Sequence, residues 1–332
     1  MVTIKDVANA AGVSFKTVSR VINNDPHVRD EMRQRVLRAL EDLDYRPNLA
    51  ARHLRTQKTK LIGLITDRIA TTPFSGNIIK GVQEAAWRNE KILLISNSER
   101  QPGIEEAAIS MMFERQVEGI IYAAWYHRSV VLPKNIYQVP VVLVNCYSED
   151  QSLPSVVPDE VAGGYAATQF LLTKGHCRIG LINGKQNYPA TQGRLEGYKQ
   201  ALTTFRVPFD ETLVCYGGWW QEDGYENAYS LMNLPEPPTA IFCGNDRVAM
   251  GVYDALRELK LSVPDDVAVI GFDNQEGIAA HLRPGLTTME LPYYEMGQWA
   301  VDFLIEHEER RASRIEPVRA KLACYLIERA ST

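Results

Sequence analysis

The chain has 332 residues, 45% hydrophobic and 23% charged, with a net charge of −5. At roughly 100–200 residues per domain this is enough for two or three cores, and it excludes wholesale disorder, collagen-like repeats and coiled-coil fibres. Apolar runs such as Ile120 to Tyr126 fall far short of the roughly 18 residues of a membrane helix. The start, Met1 to Asp6, has no basic-then-apolar pattern of a secretory signal. The five cysteines form no CxxC pair, so buried, reduced thiols in a cytoplasmic protein are expected.

Charge is unevenly spread. Residues 1–60 hold 12 Lys/Arg and 7 Asp/Glu, a net +5, and the remainder holds 24 basic and 34 acidic residues, a net −10. A small basic head on an acidic body suggests that the head meets a polyanion. The first predicted helix opens at Thr3, with Asp6 three residues on, as in a capping box. Ile4, Val7, Ala8 and Ala11 form its apolar face. Gly12 supplies a tight turn, Val13 plugs it, and Ser14 caps a second helix from Phe15 to Asn23. On that helix Val18, Val21 and Ile22 are expected to face inward, leaving Phe15, Lys16, Thr17, Ser19 and Arg20 outward. A third helix, about Asp30 to Asp44, is expected to pack Met32, Val36, Leu37, Leu40 and Leu43 against the pair. Two short helices joined by a Gly turn make a helix-turn-helix, whose second helix enters the major groove. Arg20 suits a bidentate contact to guanine, Lys16 the same or a phosphate, and Phe15 a thymine methyl. The Thr17 and Ser19 hydroxyls suit phosphate oxygens.

The stretches Thr3-Ile4-Lys5-Asp6-Val7-Ala8, Ala11-Gly12-Val13-Ser14 and Thr17-Val18-Ser19-Arg20-Val21-Ile22-Asn23 together resemble the signature of the LacI/GalR family of bacterial transcription repressors. The match continues through Tyr45-Arg46-Pro47-Asn48-Leu49-Ala50-Ala51-Arg52-His53-Leu54. The resemblance implies a hinge helix here that orders on operator DNA and enters the minor groove. Pro47 suits a helix start, and Leu54 is the candidate wedge between base steps. A plain basic linker is the alternative for 46–60. The candidate DNA-binding residues are Thr3, Ser14, Phe15, Lys16, Thr17, Ser19, Arg20, Asn23, Asn48, Ala51 and Leu54. The expected divisions are a helix-turn-helix domain at 1–46, hinge and linker at 47–60, and an effector-binding and dimerisation domain at 61–332.

From residue 61, predicted strands Leu61–Thr66, Lys91–Asn97, Val117–Ala123, Pro140–Asn145, Arg178–Asn183, Thr239–Gly244 and Val267–Asp273 alternate with amphipathic stretches near 76–90, 103–116, 160–174, 191–205, 221–233 and 246–260. Such alternation predicts an α/β body of parallel sheets covered on both faces. Its length predicts two lobes. The family resemblance adds a periplasmic-binding-protein architecture with three crossings of the chain, lobe one being about 61–158 plus 291–318 and lobe two about 159–290 plus 319–332.

Ligands of open α/β sheets bind outside the carboxyl ends of the strands. Polar or aromatic residues stand there: Asp67, Thr71 to Ser75, Asn145, Lys185 to Tyr188, Trp219-Trp220, Asn245-Asp246 and Asp273-Asn274, with Arg194 early in the following helix. Matched to the family's effector pocket, Phe74, Ser75, Asn145, Tyr188, Arg194, Trp219, Asn245 and Asp273 are the candidate ligand residues. Their chemistry suits a sugar: Asp273 accepts from vicinal hydroxyls, Arg194 donates, and Asn145 and Asn245 do both. Trp219, with Phe74, offers a flat face to a pyranose. Alternatives stay open: Arg194–Asp273 as a structural ion pair, Asn245 or Asp246 as a helix cap, and Trp220 as packing. Leu291 stands where many relatives have Gln. Tyr188 and Ala190 replace the Arg and Thr of purine-sensing members, which argues against a purine corepressor. The details of these motifs look most like the branch around sucrose and related oligosaccharide repressors.

No GxSxG, HExxH or Walker loop occurs, and Gly180 to Lys185 is one residue short of a phosphate loop, so an enzyme is not expected. No cofactor or metal is expected. The expected partners are double-stranded operator DNA, a sugar effector such as sucrose or a related di- or trisaccharide, and a second copy of the chain. The competing reading, a sugar solute-binding protein, would need a secretion signal and no residues 1–60.

Overall fold

A computed structural model describes residues 2–22, 25–45, 59–68, 76–310 and 318–332, which divide into two compact units, Met1–Thr59 and Lys60–Thr332. In the first, α1 (Ile4–Ala11), α2 (Phe15–Ile22) and α3 (Asp30–Asp42) enclose Val7, Ala11, Val18, Val21 and Val36. The Thr3 N–H donates to Asp6 Oδ2 at 2.8 Å and the Asp6 N–H to Thr3 Oγ1 at 3.4 Å, which satisfies two donors of the first turn. The bonds from the Thr3 side chain and backbone hold the Asp6 carboxyl below its usual range. α1 stops at Gly12, whose φ is 61°. A Cβ there would lie 2.5 Å from Arg35 Nη2, which instead donates to the Ala11 carbonyl at 2.7 Å. Only glycine meets both demands. Ser14 Oγ accepts from the Thr17 N–H at 3.1 Å and caps α2.

Two residues expected in this core are outside it. Met32 is 39% exposed and Leu37 45%, while Val36 and Ala39 are buried with Leu40 and Leu43 against them. The inward face follows the helical step 36, 39/40, 43; Leu37 sits 100° round from Val36, and Met32 lies in the first turn.

The second unit has two six-stranded sheets. Sheet one comprises β1 (Leu61–Thr66), β2 (Ile92–Asn97), β3 (Gly119–Ser129), β4 (Val141–Tyr147), β5 (Ser155–Pro158) and β11 (Arg319–Leu322), in the order β11-β5-β4-β3-β1-β2 with all neighbours parallel. Sheet two comprises β6 (Ile179–Asn183), β7 (Val214–Tyr216), β8 (Ala240–Cys243), β9 (Ala268–Asp273), β10 (Thr287–Glu290) and β12 (Tyr325–Ile327), in the order β12-β10-β9-β8-β6-β7. Only the β10–β12 pairing is antiparallel. The central strands of each sheet are buried on both faces. Leu64 and Ile65 point into opposite layers of sheet one, as Leu181 and Ile182 do in sheet two, which is why these strands read as continuous apolar runs.

The covering helices are α4 (Gly76–Arg88), α5 (Pro102–Glu114), α6 (Glu160–Thr173), α7 (Pro189–Thr204), α8 (Gln221–Met232), α9 (Asp246–Glu258) and α10 (Tyr293–Arg310). Six of them pair through reciprocal glycines. A Cβ on Gly81 of α4 would lie 2.0 Å from the Tyr294 carbonyl of α10, and one on Gly297 2.4 Å from that of Ile78. Gly164 and Gly197 join α6 to α7 in the same way, and Gly224 and Gly251 join α8 to α9.

The chain passes between the lobes at Asp159, at Leu291-Pro292 and at Ala323-Cys324. The last crossing corrects the expected boundary at 318: β11 pairs with β5, in register from Arg319↔Ser155 to Leu322↔Pro158, so 319–322 belongs to lobe one. The cysteines also depart from expectation. All five are free, but Cys177 is exposed and Cys215 half-buried, Cys177 lying in the polar loop before β6. Among the described residues, no helix is long and apolar enough to cross a membrane.

Candidate functional site

On the first unit, α2 exposes Phe15, Lys16 and Arg20, with Thr17 and Ser19 half-buried. Arg20 is not a free arm. Its Nε donates to Asp25 Oδ2 at 2.7 Å. Asp25 is itself fixed, with Oδ1 accepting from the His27 N–H at 2.9 Å and its carbonyl from Arg33 Nη2 at 2.6 Å. The His27 N–H first, and Arg20 next, hold the Asp25 carboxyl below its usual range. The Thr3, Ser14 and Thr17 hydroxyls take part in helix-start bonds. Asn23, Asn48, Ala51 and Leu54 lie outside the described residues, as does nearly all of the expected hinge.

On the second unit, a cleft of about 290 Å³ opens at the carboxyl ends of the two sheets, at the small end of the range for ligand pockets. Asn145, Tyr188, Arg194, Trp219, Asn245 and Asp273 all line it. Phe74 and Ser75 lie outside the described residues. Arg194, buried, is the hub. Its Nε donates to Glu160 Oε2 at 2.8 Å, its Nη1 to the Gly244 carbonyl, and its Nη2 is 3.8 Å from Asp273 Oδ1. Its Cζ lies 3.7 Å from the Phe272 ring centroid and 5.5 Å from that of Trp219. Burial pushes the Glu160 carboxyl up, but the Arg194 charge and His127 outweigh it and hold Glu160 below the usual range.

Asp273 is the weaker partner. Burial pushes its carboxyl up to about 6, against the pull of Arg194 and of a 2.9 Å bond from Gln275 Nε2. The tight ion pair is therefore Arg194–Glu160, while the alternative Arg194–Asp273 pairing is the looser contact. Asn245 is the α9 cap, its Oδ1 accepting from the Val248 N–H at 2.8 Å while its Nδ2 donates to the Trp219 carbonyl at 3.2 Å. Asp246 is fully buried and accepts from Thr288 Oγ1 and the Gln275 N–H, both at 2.6 Å. Asn145 donates to the Ala124 carbonyl at 3.0 Å from a left-handed backbone, φ 57°. The Trp219 indole lies so close over Gly184 that a Cβ there would come within 2.1 Å of the ring. Trp220 is 55% exposed on the cleft rim with the Arg247 guanidinium 4.7 Å from its ring, which corrects the packing expectation.

Several lining residues were missed by sequence reasoning: Glu160, Trp125, Tyr126, His127, Gln275 and Tyr293. For Trp125, Tyr126 and His127 the reason is β3, which runs to Ser129 instead of stopping at Ala123, with a register shift against β4 between Ala123 and Arg128. Such irregularities re-aim side chains. Asp67, fully buried, braces this one, accepting from the Trp125 N–H at 2.9 Å and Arg128 Nη2 at 3.2 Å. Tyr126 of lobe one then stacks on Tyr188 of lobe two, centroids 5.4 Å apart and planes 18° apart. His127 Nδ1 meets Glu160 Oε1 at 3.4 Å. The aromatic run Trp125-Tyr126 beside the apolar strand was the available signal. Trp125 Nε1 and Gln275 Oε1 are buried without a partner among the described residues. An unsatisfied donor and acceptor beside a cleft mark places for a ligand's polar groups.

The profile described as "Bacterial regulatory proteins, lacI family" matches residues 3–48, and that of "Periplasmic binding proteins and sugar binding domain of LacI family" matches residues 59–330. The chain is 34% identical to catabolite control protein A of Priestia megaterium, covering 92% of each chain. It is 32% identical to the ribose operon repressor of Escherichia coli K12 over 100% of both. A solved lac repressor dimer bound to operator and the anti-inducer ONPF is 26% identical, with a TM-score of 0.79 over 99% of this chain and 98% of that one. A three-helix DNA-reading head and a two-lobed α/β body with a cleft between its sheets, matched by profiles along nearly the whole length, lead to one conclusion: the chain belongs to the LacI family, whose members are DNA-binding transcriptional repressors regulated by sugar-like effectors and not enzymes.

Proposed function

We propose that the protein represses carbohydrate-utilisation genes in the cytoplasm by binding a palindromic operator as a dimer, and that a di- or trisaccharide of the sucrose type in the cleft switches that binding. The observation that carries this reading is the cleft itself. It combines a fixed donor, Arg194, with acceptors Asp273 and Asn145 and with flat aromatic faces from both lobes, Tyr126, Tyr188, Trp219 and Trp220. Hydroxyl-rich rings need both kinds of contact, and aromatic faces on both sides suit more than one ring. The relatives support the rest: one is named for a ribose operon, and another was solved as a dimer on operator DNA.

In this reading Arg20 and Lys16 read base edges, Phe15 touches a thymine methyl, and Thr3, Ser14, Thr17, Ser19 and Asn23 meet the backbone. Asn48, Ala51 and Leu54 act in the minor groove. The effector bridges the lobes, changes their angle, and thereby changes how two heads of a dimer address two half-sites. A thermal-shift screen of mono-, di- and trisaccharides, sugar phosphates and purines tests the effector class, since a ligand of the native state raises the melting temperature by mass action. A dose-dependent rise with a saccharide, followed by its effect on operator affinity, is the expected outcome. A rise with purines alone overturns the pocket chemistry, and operator titrations without sequence preference overturn the DNA reading.

A further inference from the structure

We infer that the outer end of the cleft is an anion subsite, so that the effector is a saccharide carrying an acidic group, a carboxylate or a phosphate. This rests on the saccharide reading above. Among the described lining residues, cations outnumber carboxylates: Arg68, Arg100, Lys185, Arg194 and Arg247 stand against Glu160 and Asp273. Both carboxylates are committed at the inner end, Glu160 at 2.8 Å and Asp273 at 3.8 Å from the Arg194 guanidinium. Arg68 is held by Glu99 at 3.4 Å. Among the described residues, neither Arg100 nor Lys185 pairs with a carboxylate.

These two cations come from opposite lobes and line the same cleft, Arg100 at the Tyr126 ring and Lys185 three residues before Tyr188. Arg100 lies over Tyr126, 5.8 Å from its centroid, with Nη1 donating to the Tyr126 hydroxyl at 3.3 Å. Tyr126 stacks on Tyr188, whose N–H closes a turn on the Lys185 carbonyl at 3.1 Å. Glu99 and Arg100 are consecutive left-handed residues, φ 49° and 60°. Side-chain-bearing residues hold such conformations where their surroundings over-determine them, often at ligand clamps. Like charges that approach as a cleft closes repel each other. An anion between them turns the repulsion into two charge-assisted bonds, one to each lobe. A neutral sugar leaves the repulsion in place.

The test is calorimetric titration of the full chain with a panel of mono- and disaccharides, each supplied as the neutral sugar, the uronate and the 6-phosphate, beside inorganic phosphate. At least one acidic member is expected to bind about tenfold tighter than its neutral counterpart. R100Q and K185Q are each expected to cut that acidic-to-neutral ratio severalfold. Whether the uronate or the phosphate wins identifies the acid. A neutral sugar that binds as well as both its acidic forms overturns the anion subsite and leaves the saccharide reading standing. Binding of inorganic phosphate but of no saccharide keeps the subsite and overturns that reading, and silence across the panel overturns both.

Discussion

Arg20 Nε is bonded to Asp25 at 2.7 Å, and in the proposed reading its Nη groups meet a base edge. Arg20→Ala is expected to weaken operator binding by about 1–3 kcal/mol and to relax preference at one base position, read by titration against single-base operator variants. Asp25→Asn should lower discrimination at the same position while binding to random DNA holds or rises, because a negative charge near the phosphates is lost. An equal loss across all sequences contradicts the base-reading role. In the cleft, the raised value of Asp273 has a definite sign. The folded state holds a proton that the unfolded chain, at 3.8, gives up, so the contribution to stability is full below that value and is lost as pH rises through about 6. Unliganded Asp273→Asn should therefore melt higher than the parent at pH 8, with the gap closing toward pH 4. Effector affinity should rise with pH through about 6 in the parent, as the ionised carboxylate becomes a full acceptor, and should lose that dependence in the variant.

The helix pairs make their own prediction at the scale of elements. Gly81→Ala pushes a methyl to within 2.0 Å of the Tyr294 carbonyl, and an overpacked site of this kind costs about 1–3 kcal/mol, read as a lower urea midpoint. Gly76→Ala, with open space at the same helix's start, is the control. Elements of this kind were the readable ones. Strands such as Leu61–Thr66 carry long apolar stretches, and α9 begins with the Asn245 cap that its sequence advertises. β5, β7, β10, β11 and β12 are three or four residues each and show no periodicity of their own. Asn145, Arg194, Asn245 and Asp273 were legible because they lie within two residues of a strand's end or in the first two turns of a helix, on motifs that resemble the family's. Glu160 and His127 were not, because a tertiary contact between lobes and a shift in strand register leave no local pattern.

For the whole molecule, effector and operator are linked by one coupling factor, typically worth 1–3 kcal/mol in this kind of switch. Operator DNA should change effector affinity by the same factor by which effector changes operator affinity. Two titrations check this, and unequal factors would mean that the switch has a state beyond these two. The head's net +5 against the body's −10 also predicts a steep fall of operator affinity with salt.

The order of strands has a consequence for how the protein is made. The last strand of each sheet in sequence, β11 in one and β12 in the other, comes from residues 319–327, after every other element. On the ribosome the three described helices of the head are complete by Asp42, whereas both lobes wait for residues 319–327 before either sheet can close. Domains fold as units, the N-terminal one first. A chain cut short before 319 would thus present a folded three-helix head on two unfinished sheets, with no working cleft to switch it.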